Sequence, residues 1–238
     1  MLEALSIIIP FRNDPRVIYR IKSIRDHLDL VNGCAKSVEI VLVGDLDDDA
    51  LIAEEAFSLL RGHDIKTRYF TGETNGKGAA VKLALIQTLG RSRLVIDSDD
   101  SISVENICSF VKAASGYSAE FCHGIRIFAP TESYKRRIIS LVHQLIFHLF
   151  FLKSFVQDLQ CPAKLLSPSF GDFLSSNLSV SGGMYDGEMF YHCERSKIVR
   201  QPISVICDPG GYSVLNLRRV ILNDIFSLLR LRFRLWLK

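Results

Sequence analysis

Two rhythms of apolar and polar residues run through the first half of the chain. Short runs at Leu5–Ile9, Glu39–Val43, Ile65–Phe70 and Leu94–Ile96 have the length of strands, and all but the short, mixed Ile65–Phe70 have the apolar continuity of strands buried in a parallel sheet. Pro10 stops the first, and Gly44 with the acidic turn Asp45–Asp49 stops the second. Between the runs, apolar residues recur at helical spacing. Pro15–Leu30 places Val17, Ile18, Ile21, Ile24 and Leu28 on one face, behind Asn13 or Asp14 as a cap. Ala50–Leu60, Gly78–Leu89 and Val104–Ala114 repeat the pattern. Four alternations of strand and helix predict an α/β fold, with a mostly parallel, Rossmann-like sheet flanked by helices.

Beyond Glu120 the rhythm changes. Glu120–Phe128 and Ile203–Ile206 read as strands, and a short apolar helix follows Tyr185-Asp186-Gly187-Glu188. Tyr134–Phe155 starts basic and turns strongly apolar, and Leu215–Trp236 is a long apolar helix studded with arginine. We expect a catalytic domain over residues 1–212 and a basic amphipathic helix over 213–238.

The 238 residues, 48% hydrophobic, suffice for one core plus an appendage. A net charge of +3 is too slight to point to nucleic acid. From Ser213 onward six basic residues face the single Asp224, so the positive charge collects at one end. Six scattered cysteines, with no CxxC or CxxH pair, argue against a zinc site or a disulfide framework and fit a reducing compartment. Met1-Leu2-Glu3-Ala4 enters a strand directly, so no signal peptide is expected. Ile138–Leu152 is the longest stretch without Asp, Glu, Lys or Arg. As a helix it is about 22 Å long, short of a bilayer core of about 30 Å.

Candidate chemistry begins where the fourth run ends. Arg93-Leu94-Val95-Ile96-Asp97-Ser98-Asp99 carries an apolar strand into two carboxylates one residue apart. Open α/β sheets place ligands at the carboxyl ends of their strands. Two acids there repel unless a cation joins them, and a hard divalent ion holding a diphosphate does so. The alternative is that Asp99, Asp100 or Ser101 caps the next helix. Thr74–Ala80 is a glycine-rich turn into a helix, suited to a phosphate or simply to an ordinary turn, and its spacing is not that of a Walker A loop. An aspartate of Asp45–Asp49 either meets a ribose or base, or caps the helix behind it. Arg126, Arg136, Arg137 and Lys164 have the chemistry to hold phosphate oxygens, though Lys135–Arg137 also reads as a solvated helix start or a membrane flank. Asp186 reads equally as a cap. His143 and His148, five apart, make a poor metal pair.

In this order the motifs resemble family 2, GT-A-type glycosyltransferases, and within them the polyprenyl-phosphate branch of dolichyl-phosphate glucosyltransferases and mannose synthases. Ser6–Asp14 is similar to the family's SVVVPAYNE start, Asn75–Val81 to its NxGKGxAV, and Asp97-Ser98-Asp99 to its DxD. Gly124–Arg126 is similar to GSR, Asp158–Lys164 to DTQCGFK, and Tyr185–Glu188 to FDxE. The resemblance implies metal-dependent, inverting transfer of a hexose from UDP-glucose or GDP-mannose to a polyprenyl phosphate, by a protein bound peripherally on the cytoplasmic side of a membrane. It implies that Pro10, Phe11, Asn13, Asp14, Asp45, Lys77, Asp97 and Ser98 bind the nucleotide donor. Asp97 and Asp99 would hold Mg²⁺ or Mn²⁺. Arg126, Arg136, Ser140 and Lys164 would take the acceptor phosphate. Asp158 and Gln160 would face the sugar and complete the catalytic set with Asp97 and Asp99.

Two departures stand out. Gly44 replaces one of the paired aspartates of the family's VDDGS turn, and Pro162-Ala163 replaces GF of DTQCGFK. They motivate one alternative, a non-catalytic membrane-bound scaffold; another keeps the enzyme class with a glycan or lipopolysaccharide acceptor. In the lipid reading, Tyr134–Phe155 and Leu215–Trp236 lie in the bilayer interface. Otherwise the last helix packs on the domain or on a second subunit, giving a homo-oligomer.

Overall fold

The four runs become four neighbouring parallel strands: β1 (Leu2–Pro10), β2 (Ala35–Gly44), β3 (Lys66–Thr71) and β4 (Ser92–Val95). They alternate with α1 (Arg16–Asp26), α2 (Leu28–Asn32), α3 (Asp47–Ser58), α4 (Lys77–Gln87) and α5 (Val104–Tyr117). The computed structural model describes residues 1–44, 47–72, 76–99, 101–127, 144–145, 147–148 and 156–206. Asp45, Asp100, Arg136, Ser140, nearly all of 134–155 and the whole of 213–238 lie outside them, with the expectations attached to those positions. Among the described residues no helix is long and apolar enough to cross a membrane.

The unbroken apolar runs follow from burial on both faces. Leu5, Ile7 and Ile9 pack into one apolar layer with Ile40, Leu42 and Leu94, while Ile8 packs into the other with Val41, Val43 and Val95. The helix expected over Pro15–Leu30 is two helices, parted at His27 (φ −127°, ψ 30°).

The second half adds β5 (Phe121–Ile127), β6 (Lys164–Leu166) and β7 (Arg200–Ile206), with α6 (Pro168–Asn177) and α7 (Tyr185–Arg195). The sheet order is β3-β2-β1-β4-β6-β5-β7, and β6 runs antiparallel to both neighbours. The α6 helix was not expected from the apolar pattern, yet its start is written plainly. Ser167 caps it, accepting from the Phe170 N–H at 3.2 Å, and Pro168 opens its first turn.

The sheet order reverses around β1, with β2 on one side and β4 on the other. Ile8 pairs with both Val41 and Val95, and the Ile96 N–H donates to the Ile8 carbonyl at 3.0 Å. The loops leaving β1 and β4 therefore emerge side by side, at the switch point where such sheets hold ligands.

Candidate active site

The β1 and β4 loops are stitched together by side chains. Ser98 Oγ donates to Asp14 Oδ2 at 2.6 Å, so the residue between the two acids grips the end of β1. Asp14 also receives Arg16 through its backbone N–H (3.1 Å), Nε (2.9 Å) and Nη2 (2.9 Å). Burial disfavours the ionised Asp14, but the bonds from Arg16 and Ser98 outweigh it and hold its carboxyl below the usual range. Arg16 Nη1 reaches on to Asp99 Oδ2 at 3.5 Å. Asn13 takes a left-handed conformation (φ 46°), which asparagine tolerates, and its N–H donates to Asp49 Oδ1 at 2.6 Å.

Of the acidic turn, Asp49 is thus a buried support for the β1 loop. It explains Gly44. A Cβ at position 44 would lie 2.6 Å from Asp49 Cβ and 2.5 Å from Tyr69 Oη. An aspartate, expected there from the resemblance to VDDGS, has no room in this chain.

The glycine-rich turn has a structural rather than a phosphate-binding explanation for its glycines. Gly76 has φ +119°, and a Cβ on it would meet the Ser181 carbonyl oxygen at 2.7 Å. A Cβ on Gly78 would strike the Val180 carbonyl and come within 2.7 Å of Tyr185 Cβ. Both glycines let α4 press against the 180–182 segment, so that Lys77 is delivered to the cleft. There its ammonium is paired with Asp97 Oδ1. Burial works against this cation, but Asp97 and Asp186 outweigh it and hold Lys77 above the usual lysine range.

A cleft of about 360 Å³ opens over these groups. Six of the residues expected to bind the donor line it: Pro10, Phe11, Asp14, Lys77, Asp97 and Ser98. Asp99 and Arg16 line it too, whereas Asn13 does not. Asp99 does not cap α5. Its Oδ1 accepts from the Ser101 N–H at 3.3 Å, and Ser103 is the residue at the helix start.

Residues expected on the acceptor side form a second cluster. Arg126 and Asp158 bind each other, and the Gln160 N–H also donates to Asp158, at 3.2 Å. The Gln160 side chain lies against Met184, on the wall it shares with Asp186. Lys164 is not a surface cation: it is buried, donates to the Cys161 carbonyl at 2.6 Å and pairs with Asp186 at 2.8 Å. Asp186 is no helix cap either. Burial raises its pKa against the pull of Lys164 and Lys77. Glu188 points inward as well, accepting from the Ser179 and Val180 N–H groups at 2.8 and 2.7 Å.

Arg16 lies outside the sequence motifs, Asp186 reads there equally as a cap, and Asp49 is one of the aspartates of the acidic turn that the sequence does not tell apart. Arg16 had a signal, a base two residues after an acid at a helix start. Asp186 had only the FDxE likeness.

The glycosyl transferase family 2 profile matches residues 6–170, from β1 through the DxD turn and the Arg126 and Asp158 positions into α6. The chain belongs to that family. This family 2 member is 25% identical over 178 residues to a dolichyl-phosphate β-glucosyltransferase of Drosophila melanogaster. The match takes in 70% of this chain but 54% of the fly protein, so the chain spans about half of that relative. Solved structures share the fold. The Mycobacterium tuberculosis glucosyl-3-phosphoglycerate synthase, in complex with Mn²⁺, UDP-glucose and phosphoglyceric acid, superposes with a TM-score of 0.65 at 17% identity, covering 95% of this chain and 80% of its own. The Rubrobacter xylanophilus mannosyl-3-phosphoglycerate synthase gives 0.66 at 17% identity, covering 96% and 73%.

Proposed function

We propose that this glycosyltransferase moves a hexose from a nucleoside-diphosphate sugar to a polyprenyl phosphate at a membrane surface, with Mg²⁺ or Mn²⁺ as cofactor. The observation that carries the reading is the cleft at the switch point, where Asp97, Asp99 and Lys77 converge.

The donor set fits a hard cation. Asp97 already has a positive group, the Lys77 ammonium, against its carboxylate, and oxygen ligands suit Mg²⁺ and Mn²⁺. Among the described residues no cluster of three or more His, Cys, Asp or Glu is built to cage a metal. Two carboxylates, with the remaining ligands coming from a substrate diphosphate and water, is the usual arrangement for such ions. When bound, the cation neutralises charge on the departing nucleoside diphosphate.

The chain's own groups do the rest. Pro10, Phe11 and Asp14 line the nucleotide side of the cleft. Lys77 is free to move from Asp97 to a donor phosphate. Ser98 locks the two loops in register. On the acceptor side, Arg126 holds the incoming phosphate while Asp158 fixes its guanidinium plane, and Gln160 and Asp186 border the sugar. A phosphate ester is already anionic at neutral pH, so attack on the anomeric carbon needs positioning and charge stabilisation more than a strong base, with inversion the outcome.

The choice of acceptor rests on the fly relative, whose name includes dolichyl phosphate, and on the apolar and basic stretches 134–155 and 213–238. A second reading, a small phosphorylated acid, is favoured by the phosphoglyceric acid in the mycobacterial neighbour. The test is transfer from labelled UDP-glucose and GDP-mannose, with Mn²⁺, to undecaprenyl or dolichyl phosphate in detergent against 3-phosphoglycerate in buffer. An acid-labile, butanol-extractable product supports the lipid acceptor. Water-soluble product alone overturns it.

A further inference from the structure

The α1 helix carries one residue that contradicts its pattern. Val17, Ile21 and Ile24 form its buried face, and Arg20 lies among them with no exposed surface. Removing a guanidinium from water costs several kcal/mol unless its donors are met. They are met by the backbone behind the acidic turn. Nε and Nη2 both donate to the Asp99 carbonyl oxygen, at 3.1 and 2.7 Å, and Nη1 donates to the Ile102 carbonyl. One planar group therefore spans the bend from Asp99 to the start of α5. No other residue type has the reach and the fork of donors to hold both carbonyls at once.

We infer that Arg20 is a positioning residue for the metal site, fixing the Asp97–Asp99 turn from beneath. It touches neither substrate nor metal. It acts by holding the peptide of Asp99, whose carboxylate otherwise has an N–H of its own turn and the half-exposed Arg16 to orient it. The guanidinium also brings a fixed positive charge to the floor of a turn carrying two acids. This inference rests on the reading of Asp97 and Asp99 as metal ligands.

The test measures Mn²⁺ binding to the full chain, with and without UDP, by the loss of the free-ion EPR signal, beside the thermal midpoint of the metal-free protein. Arg20→Lys keeps the charge but cannot span both carbonyls, and Arg20→Gln keeps one donor group without the charge. Groups that orient metal ligands typically change affinity by about 10- to 100-fold when replaced. The expected result is a loss of about 10-fold or more in Mn²⁺ affinity for both folded variants, larger for Arg20→Gln, with an altered bound-Mn²⁺ spectrum. Variants that melt lower but bind Mn²⁺ as the wild type does overturn the inference, making Arg20 a core residue only. Failure of the wild type to bind Mn²⁺ with UDP strikes the proposed function instead. If neither variant folds at 10 °C, positioning is rejected in favour of a purely structural role.

Discussion

Arg126 and Asp158 clasp each other through two parallel bonds, Nε to Oδ2 at 2.7 Å and Nη2 to Oδ1 at 2.9 Å, while the Arg126 backbone N–H donates to the same Oδ2 at 3.1 Å. The pair ties the end of β5 to the loop before β6. It is largely buried, with the aspartate side chain 7% exposed. Truncating Arg126 to Met leaves a buried carboxylate unpaired, with an expected loss of about 3 kcal/mol in urea unfolding. Adding Asp158→Asn should recover part of that loss, and a double-mutant cycle measures the coupling.

Asp97→Asn and Asp99→Asn should each lower transfer by about 100-fold or more while leaving the fold intact, because each removes charge stabilisation from the cleft. Chelation with EDTA should abolish transfer, and Mn²⁺ should restore it. A scaffold protein would instead keep its cellular role with either substitution, and complementation of a deletion strain by the variants distinguishes the two.

Gly78→Ala reverses an ordinary expectation. In an exposed helix the change stabilises by about 1 kcal/mol. Here the added methyl meets the Val180 carbonyl and Tyr185 Cβ, so backbone must move. Crowding of this kind costs about 1–3 kcal/mol, and the thermal midpoint should fall. Gly44→Asp should fail similarly, because its Cβ would meet both Asp49 Cβ and Tyr69 Oη.

His123 is buried between the rings of Phe121 and Phe190, at 5.8 and 4.8 Å between centroids. Burial, then the charges of Lys164 and Arg200, push its pKa down to about 4. Unfolded, a histidine titrates near 6.5, so between those values the unfolded chain binds a proton that the folded chain does not. Stability contributed by neutral His123 is whole above about pH 6.5 and falls as pH drops towards 4. At about 1.4 kcal/mol per pH unit, the loss reaches about 3 kcal/mol. Replacing His123 with Leu should flatten the difference in unfolding free energy between pH 7 and pH 4 by that order.

The α/β class, the strand positions and the DxD turn were legible because burial on both faces leaves a continuous apolar signature, and a sharp change to acids follows it at Asp97. Six of the residues that the family resemblance implied for the donor come together in one cleft. The acceptor side was less legible. Lys164 looks in sequence like a phosphate ligand, and only the tertiary fold reveals Asp186 beside it. Asp49 and Gly44 lie on different elements, so their exchange of space is invisible along the chain. Arg20 was visible as a defect in the α1 pattern, but its partners, two carbonyls some 80 positions away, carry no side-chain signal. The α6 helix is the reverse case, with a plain Ser-Pro start but an apolar face too short to show as a helical run.

β6 is three residues long and is the only strand, among those described, that joins the donor half of the sheet to the acceptor half. Leu165 and Leu166 make backbone pairs with β4 on one side and β5 on the other, and Lys164 reaches down to Asp186. The two halves of the sheet thus meet along a seam of only three residues. A proline placed at Leu165 would remove a ladder N–H from the one described strand that both halves of the sheet share.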